Sequence, residues 1–449
     1  MRVRILAVAL VLAAVVAVVG CGSPGSSGGT SAELGKVSTT LTKQPVTLTV
    51  WDTENEPGPT AEITKLNAEF EAEHPNVTIK RVVRQFNDYT ATVKLAASSS
   101  HPPDVLQGNE GYSVDGPLVQ AGLIAPLDEY AKAYGWESRF GAPSVLDPLR
   151  WASDGETWGS GELFGVAQKA EVIGAFYNKA ALAKLGLEVP KTFAEFERSL
   201  QVAKQAGVPP IMVGDLDQFP LGHIFMVLQS LMAPASEISD WTFGKEGSTF
   251  DTPGTKKALE TLQSWSEKGY FESGFDGIAQ EDAAGEFAKG EGLYFITGPW
   301  ENATFAPLGK NLGFFVIPPL EADHDTTTGA LSLPWHISAK TENPDVAAAY
   351  IDFITSPEAA KVVLENGDLP AAKIDAGGLL EPGSSLASIL AAWQAKSGNG
   401  TLTPYLDWAT PSMGETLFGS LQDLAAGHAS PEQVVSRVQG DWESYQSEG

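Results

Sequence analysis

Aromatic and acidic side chains recur in this 449-residue sequence where predicted strands end. The face of a Trp or Tyr ring packs against the C–H groups of a sugar ring, and carboxylates accept hydrogen bonds from its hydroxyls. Any one of these aromatics is equally well explained by a place in the core, but the recurrence favours a site for a neutral, polyhydroxylated molecule. The candidate binding residues are Trp51, Asp52, Glu110, Tyr112, Glu171, Asp215, Asp217, Trp300, Trp335 and Trp408.

Alternating strands and helices have to position these residues. The stretch VTLTVWD alternates apolar and polar residues and predicts a strand, and the spacing of Ile63, Leu66 and Phe70 predicts the helix after it. Further strands are predicted in NVTIKRVV, PPDVLQG, residues 172–177, PPIMVGD and EGLYFIT, mostly with helical patterns between them. This order predicts an α/β fold with mostly parallel sheets flanked by helices, in which small molecules bind beyond the carboxyl ends of the strands.

Chain length and net charge narrow the function classes. A chain of 449 residues is too long for one ordinary core and predicts two lobes. The 29 basic and 56 acidic residues give a net charge of −27, which argues against a nucleic-acid partner. Repulsion also disfavours an anionic small molecule, whereas a neutral or cationic one is compatible with this charge.

Catalytic and metal-binding motifs are missing from the sequence. It contains no HExxH, GxSxG, Walker loop or paired-cysteine zinc pattern, and its six histidines include no i, i+4 pair. GSGELFG lacks the spacing of a phosphate loop, and EADHDTTTG is better explained as an acidic surface loop than as a cation site. We therefore expect no catalytic residue, no metal and no cofactor.

The N-terminal residues predict export. Arg2 and Arg4 precede an apolar run over 5–19, which is shorter than the ~20 residues of a membrane-spanning helix and typical of a secretory signal. VVGC resembles a bacterial lipobox, in which Cys21, the only cysteine, becomes the lipidated first residue. We expect a signal peptide over 1–20 and a flexible Gly/Ser-rich linker over 21–44. The alternative is a cleaved signal with an incidental cysteine.

Several motifs, in order along the chain, resemble one family. They are VTLTVWD, PPDVLQG, FYNK…LG…PKTFAEF, GEFAKGEGLYFITGPW, and SAKTENPDVAAAYIDFITSPEAAKVV followed by NGDLPA. From Val46 to the C-terminal helices the chain resembles the extracellular solute-binding proteins of carbohydrate ABC importers, of the maltose-binding-protein type (family 1). FYNK…PKTFAEF and GPW are the specific parts of this resemblance.

The resemblance implies a two-lobed, periplasmic-binding-protein-like fold (type II) with a hinged cleft. Lobe 1 would take residues 45–170 and 335–383, and lobe 2 residues 174–330 and 388–449. The chain would cross between the lobes near 170–174, 329–334 and 381–385. Hinge closure around the bound molecule is a general property of such proteins.

The resemblance also implies roles for individual residues. Trp300 of GPW matches a stacking tryptophan of lobe 2. Glu171, six residues before Tyr177 of FYNK, matches a hydroxyl-binding carboxylate at the first crossing. Trp51 and Asp52 end the first strand, where the family places contacts from lobe 1.

Elsewhere the match to the family is looser. Asp215 and Asp217 follow a lobe-2 strand at which the family has an acid and an aromatic. After PPDVLQG the chain lacks the family's Asp-Arg pair and carries Asn109, Glu110 and Tyr112 instead, which counts against maltose as the ligand.

Two more tryptophans are candidates by position. Trp408 is the nearest candidate for a second stacking aromatic, although Met413 and Gly414 stand closer to the expected place. Trp335 has no counterpart in the maltose binder and falls at a crossing that would line the cleft.

Three functions are compatible with these residues. The first is a monomeric lipoprotein on the outer face of the bacterial cytoplasmic membrane that delivers a neutral sugar to an ABC permease. The second is a secreted glycoside hydrolase that uses Glu171 with Asp52 or Glu110 as its carboxyl pair. The third keeps the transport role but binds a polyamine, a peptide or a phosphorylated polyol, the last disfavoured by the few basic residues at the junctions.

Overall fold

The computed structural model describes residues 36–140, 143–152, 155–321 and 324–448. The predicted signal peptide, Cys21 and the first part of the linker lie outside the described residues. Within the described ranges, no helix combines the length and apolar character needed to cross a membrane.

The strands and helices follow one another much as the sequence predicts. The strands are β1 (Val46–Asp52), β2 (Val77–Val83), β3 (Val105–Gln107), β4 (Arg150–Trp151), β5 (Glu162–Leu163), β6 (Lys169–Ala170), β7 (Gly174–Asn178), β8 (Ile211–Met212), β9 (Tyr294–Thr297), β10 (Leu312–Phe315), β11 (Thr327–Thr328), β12 (Leu331–Ser332), β13 (Trp335–Ile337) and β14 (Leu402–Thr403). The helices are α1 (Pro57–Glu73), α2 (Phe86–Ser98), α3 (Asp115–Gln120), α4 (Asp128–Tyr134), α5 (Lys179–Lys184), α6 (Phe193–Gln205), α7 (Phe219–Met232), α8 (Ala235–Thr242), α9 (Pro253–Glu267), α10 (Gln280–Ala288), α11 (Pro344–Ile354), α12 (Pro357–Glu365), α13 (Ser385–Asn399), α14 (Met413–Ala425) and α15 (Pro431–Glu448). Short 3-10 helices include Pro299–Glu301 and Leu406–Trp408.

The first sheet has the strand order β13-β3-β1-β2. β1 pairs in parallel with β2 and β3, whereas β13 pairs antiparallel with β3. Val46, Leu48 and Val50 of β1 are buried, as the alternation in VTLTVWD predicts. The carboxyl ends of β1 and β3 therefore lie at one edge of this sheet.

The second sheet has the strand order β10-β7-β9-β8. β8 is parallel to β9, and β7 is antiparallel to both β9 and β10, so three strands run one way and β7 runs against them. All residues of β7 are buried, with Phe176 in one apolar cluster and Ala175 and Tyr177 in the other. The sheet is thus covered on both faces, which explains its continuous apolar pattern.

The predicted α/β class with mostly parallel strand directions is confirmed, with one reversed strand in each sheet. The reversed strands are β13 and β7, and each follows a segment that passes between the sheets. Two such segments lie side by side, because β6 pairs antiparallel with β12.

Backbone hydrogen bonds extend this pairing of the two passing segments. Glu171 and Ala330 exchange backbone N–H···O bonds of 2.7 and 3.1 Å. Gly329 permits the close approach, because a Cβ there would lie 2.4 Å from the carbonyl oxygen of Glu171. These segments are the first two predicted crossings. Their role as a hinge, and the lobe boundaries, stay predictions.

Candidate functional site

A cavity of about 940 Å³, counted with its open mouth, lies beyond the carboxyl ends of β1, β3 and β9. Both sheets and both passing segments contribute to it. Its wall consists of Thr53, Glu54, Glu56, Phe86, Asn109, Glu110, Lys169, Ala170, Glu171, Phe219, His223, Gln280, Trp300, Leu333, Asp368, Tyr405, Asp407, Trp408 and Phe418.

Aromatic rings form a continuous row in this wall. The ring centroids of Trp300 and His223 lie 5.5 Å apart, those of His223 and Tyr405 6.0 Å, and those of Tyr405 and Trp408 5.0 Å. Gly298 lets the indole of Trp300 fold back over the strand end, since a Cβ there would lie 1.9 Å from the indole Cζ3. The row offers apolar surface long enough for more than one ring of a ligand.

Three carboxyl groups, those of Glu110, Glu171 and Asp407, are neighbours in the wall. Burial raises the pKa of Glu110 well above its ordinary value, and the charges of Asp115, Glu171 and Asp407 add to this effect. Burial also raises the pKa of Asp407 to about 6. The hydroxyl of Tyr405 lies beside the carboxylate of Glu171. These three carboxyl groups therefore offer hydrogen-bond acceptors to a ligand, and their negative charges repel one another.

The cation of the wall is already paired. Lys169 Nζ donates a hydrogen bond to Glu54 Oε2 and lies 3.4 Å from Asp368 Oδ2. Gln107 Nε2 donates to the other oxygen of Glu54 at 2.7 Å. Lys169 is the only lysine or arginine among the described wall residues. The wall thus lacks a free basic side chain with which to bind an anionic ligand.

Burial also shifts the pKa of two other wall residues. It lowers the pKa of His223 to about 4, so this ring is uncharged at neutral pH. It raises the pKa of Glu56 to about 7 against the opposing effect of a backbone hydrogen bond. In the part of the chain that the structure describes, no group of three His, Cys, Asp or Glu side chains is arranged to bind a metal.

The structure brings four of the ten predicted binding residues to the cavity, namely Glu110, Glu171, Trp300 and Trp408. Six others lie outside its wall, and we remove them from the candidate set. Asp52 accepts two hydrogen bonds from Arg81, of 2.7 and 2.6 Å, and is fully buried. Trp51 packs its ring under the guanidinium of Arg84, 4.9 Å from the ring centroid.

Tyr112 and Trp335 are core aromatics. The ring of Tyr112 packs edge-on against Trp151 at 5.3 Å, and its hydroxyl donates to the carbonyl oxygen of Glu156 at 3.3 Å. Trp335 is fully buried within β13, with its ring 6.3 Å from that of Tyr350. Neither side chain reaches the cavity.

Asp215 and Asp217 stabilise helix starts. Asp215 Oδ1 accepts a hydrogen bond of 2.8 Å from the backbone N–H of Leu221 in the first turn of α7. Asp217 Oδ2 accepts one of 3.0 Å from the backbone N–H of Gln280 at the start of α10. Carboxylates at helix N-termini are favourable in this position, which explains both residues without a ligand.

Several wall residues were missed by the sequence reasoning. Tyr405 and Asp407 both come shortly before Trp408 in TPYLDWATPS, so their closeness in sequence to a candidate residue could have indicated them. Glu54 follows a predicted strand, so the same sequence pattern could have indicated it as a binding residue. Asp368 follows α12 far along the chain, and no local pattern connects it to the site.

Most of the chain matches a known bacterial protein family. The family described as "Bacterial extracellular solute-binding protein" matches residues 54–361. The chain is similar to the multiple sugar-binding protein of Streptococcus mutans, with 23% identity over 340 residues that cover 73% of this chain and 76% of that protein. It is also similar to the galactooligosaccharide-binding protein of Bacillus subtilis, with 23% identity over 385 residues and 83% of each chain. Its fold is similar to that of a chitin oligosaccharide binding protein, with a TM-score of 0.77 and 21% identity across 90% of this chain and 99% of that one.

Proposed function

Because the chain belongs to the bacterial extracellular solute-binding protein family, we propose that it is the substrate-binding component of an ABC importer. It captures a mono- or oligosaccharide in the cavity and delivers it to the membrane permease. The observation that carries this proposal is the row of rings from Trp300 to Trp408 beside the carboxyl groups of Glu110 and Glu171. The names of relatives that bind multiple sugars and galactooligosaccharides support the ligand class.

Each wall residue has a distinct role in this proposal. Trp300 and Trp408 pack against the C–H faces of sugar rings, while Glu110 and Glu171 accept hydrogen bonds from hydroxyl groups. Asn109 Oδ1 accepts a hydrogen bond of 3.1 Å from the indole N–H of Trp408, which fixes the orientation of that ring. This hydrogen bond holds the ring of Trp408 in one orientation in the absence of a ligand.

Closure of two lobes completes the proposal. Lobe 1 takes residues 45–170 and 335–383, lobe 2 takes residues 174–330 and 388–449, and the paired strands β6 and β12 bend between them. A ligand that contacts both lobes favours the closed form, because it binds that form more tightly than the open one. The permease then recognises the closed, loaded protein.

A lipid on Cys21 would retain this monomeric protein on the outer face of the cytoplasmic membrane. The lipobox-like VVGC and the Gly/Ser-rich linker support this location. Some relatives are named as lipoproteins, among them one from Streptococcus pneumoniae. Labelling with a radioactive fatty acid, present in the wild type and lost in Cys21→Ser, tests the anchor.

We further propose that no bond in the ligand is cleaved. A hydrolase would need two free carboxyl groups across the scissile bond, and Asp52, half of one predicted pair, is occupied by Arg81. Glu171 with Glu110 remains as a pair, so incubation with an oligosaccharide panel and measurement of new reducing ends is the decisive check. Turnover would contradict a pure binding role.

Binding itself is tested with a panel of neutral mono-, di- and trisaccharides, with spermidine and a phosphorylated polyol as controls. A bound ligand raises the unfolding free energy by RT ln(1 + [L]/Kd), which a thermal-shift assay detects. Trp300→Ala should abolish the shift with the sugar. Trp51→Ala is the matched control, because it removes another partly exposed indole near the end of a strand, but one that lies outside the wall. A shift with spermidine or phosphate alone would refute the sugar assignment.

A further inference from the structure

The cavity wall contains six acidic residues and one lysine. Two of the acids, Glu54 and Asp368, are paired with Lys169, and the histidine of the wall is uncharged at neutral pH. Among the described wall residues, no lysine or arginine is therefore left to pair with Glu56, Glu110 or Asp407, and Glu171 lies beside the hydroxyl of Tyr405. The wall therefore contains more carboxyl groups than its basic side chains can pair with, which is an arrangement that suits a cationic ligand better than a neutral one.

Glu110 is the clearest member of this excess. It is 1% exposed, and neither of its Oε atoms has a hydrogen-bond partner among the described residues. Its loop is fixed in place, because Gly111 has a φ of +74° and a Cβ there would lie 2.6 Å from the Cβ of Trp408. A buried carboxyl group without a partner is costly, and its position in the wall of the cavity lets a ligand supply the missing donor.

The neighbours of Glu110 favour a cationic donor over a hydroxyl. The charges of Asp115, Glu171 and Asp407 act on its carboxyl group. Asp115 is already paired with His336 at 3.1 Å, so a positive charge beside Glu171 and Asp407 would relieve the remaining repulsion. An ammonium group donates three hydrogen bonds, whereas a hydroxyl donates one. The aromatic faces next to these acids also attract a cation, and the net charge of −27 draws one toward the protein.

We infer that the ligand is an amino sugar or an oligosaccharide of one, whose protonated primary amine is bound by Glu110, Glu171 and Asp407 while the aromatic row holds its rings. This inference rests on the proposed function and narrows its ligand class. The amine lies at the carboxyl end of the cavity, next to Trp408 and Tyr405. Lys169 stays paired with Glu54 and does not contact the amine.

The experiment compares three β-1,4-linked series that differ only at carbon 2: glucose, N-acetylglucosamine and glucosamine oligomers. The monosaccharide pairs glucose and glucosamine, and galactose and galactosamine, are included so that linkage does not decide the outcome. Affinities are measured by calorimetry on the purified full chain at pH 7. The variants are Glu110→Gln, which keeps the shape of the side chain but cannot ionise beside a bound amine, and Glu246→Gln, which makes the same change at an exposed site outside the wall.

We expect the amine-bearing compound to bind about tenfold or more tightly than its neutral analogue, in line with the strength of charge-assisted hydrogen bonds. Glu110→Gln should remove most of this preference, Glu246→Gln none of it. Asp407→Asn should weaken the preference in the same direction, which keeps the test valid if Glu110→Gln folds poorly. Equal or tighter binding of the neutral or N-acetyl compounds would overturn the inference and leave sugar binding intact. Absence of binding by every saccharide would overturn the proposed function as well.

Discussion

Protonation of His223 should destabilise the fold as the pH falls. The ring packs between Trp300 and Tyr405, its Nδ1 has no hydrogen-bond partner among the described residues, and burial lowers its pKa from 6.5 to about 4. Because the folded state holds the neutral ring, the unfolded chain takes up the proton first as the pH falls below 6.5. The stabilising contribution of neutral His223 is therefore fully present above pH 6.5 and is lost between pH 6.5 and 4.

The size of this effect follows from the pKa difference. At about 1.4 kcal/mol per pKa unit, the complete loss amounts to about 3 kcal/mol, of which about 2 kcal/mol has occurred by pH 5. His223→Phe keeps an aromatic ring in the row and cannot titrate, so its unfolding free energy should fall less between pH 7 and pH 5 than that of the wild type. Urea unfolding at the two pH values measures the difference.

His428→Phe serves as the control, because the side chain of His428 is exposed and its replacement should leave the pH dependence of the wild type. Titration of the His223 ring by NMR provides a direct second measurement. The reasoning would be refuted by a ring pKa near 6.5, or by a pH dependence in His223→Phe that equals that of the wild type.

Two further predictions concern stability. Lys169→Met should destabilise the protein by about 3–5 kcal/mol in urea unfolding, because it leaves Glu54 and Asp368 buried without their cation; a loss under 1 kcal/mol would mean that these acids are protonated. Gly174→Ala should cost about 1–3 kcal/mol, because its Cβ would lie 2.4 Å from Cζ of Phe314. Gly285→Ala in α10, where a Cβ meets no atom within 4 Å, should instead raise the unfolding free energy by about 0.5–1 kcal/mol, and equal effects of the two substitutions would contradict the packing argument.

Local periodicity was sufficient for most of the secondary structure. The spacing of Ile63, Leu66 and Phe70 predicted α1, and these three side chains are buried. The two-residue strands β6 and β12 were beyond its reach, because each exists only through pairing with the other across more than 160 positions. The pairing of Lys169 with Glu54 has the same origin, since it depends on where the chain passes between the sheets.

Three of the six predicted residues that lie outside the cavity wall share a physical cause. Side chains within a paired strand point to one face or the other of the sheet, where helices cover them. Trp51 and Asp52 belong to β1 and pair with Val82 and Val83, and Trp335 belongs to β13 and pairs with Gln107, so none of them can point along the strand axis into the crevice.

Residues that come after the last paired residue of a strand can point along the strand axis into the crevice. Glu110, Glu171 and Trp300 come one to three residues after β3, β6 and β9, and all three line the cavity. Asp215 comes equally soon after β8, but its carboxylate accepts a hydrogen bond from the backbone N–H of Leu221 in the first turn of α7. If the end of a strand is predicted too early, a tryptophan of the core is therefore mistaken for a binding residue. Gly298 and Pro299 mark the end of β9 in the sequence, and they correctly predict that Trp300 lies beyond it.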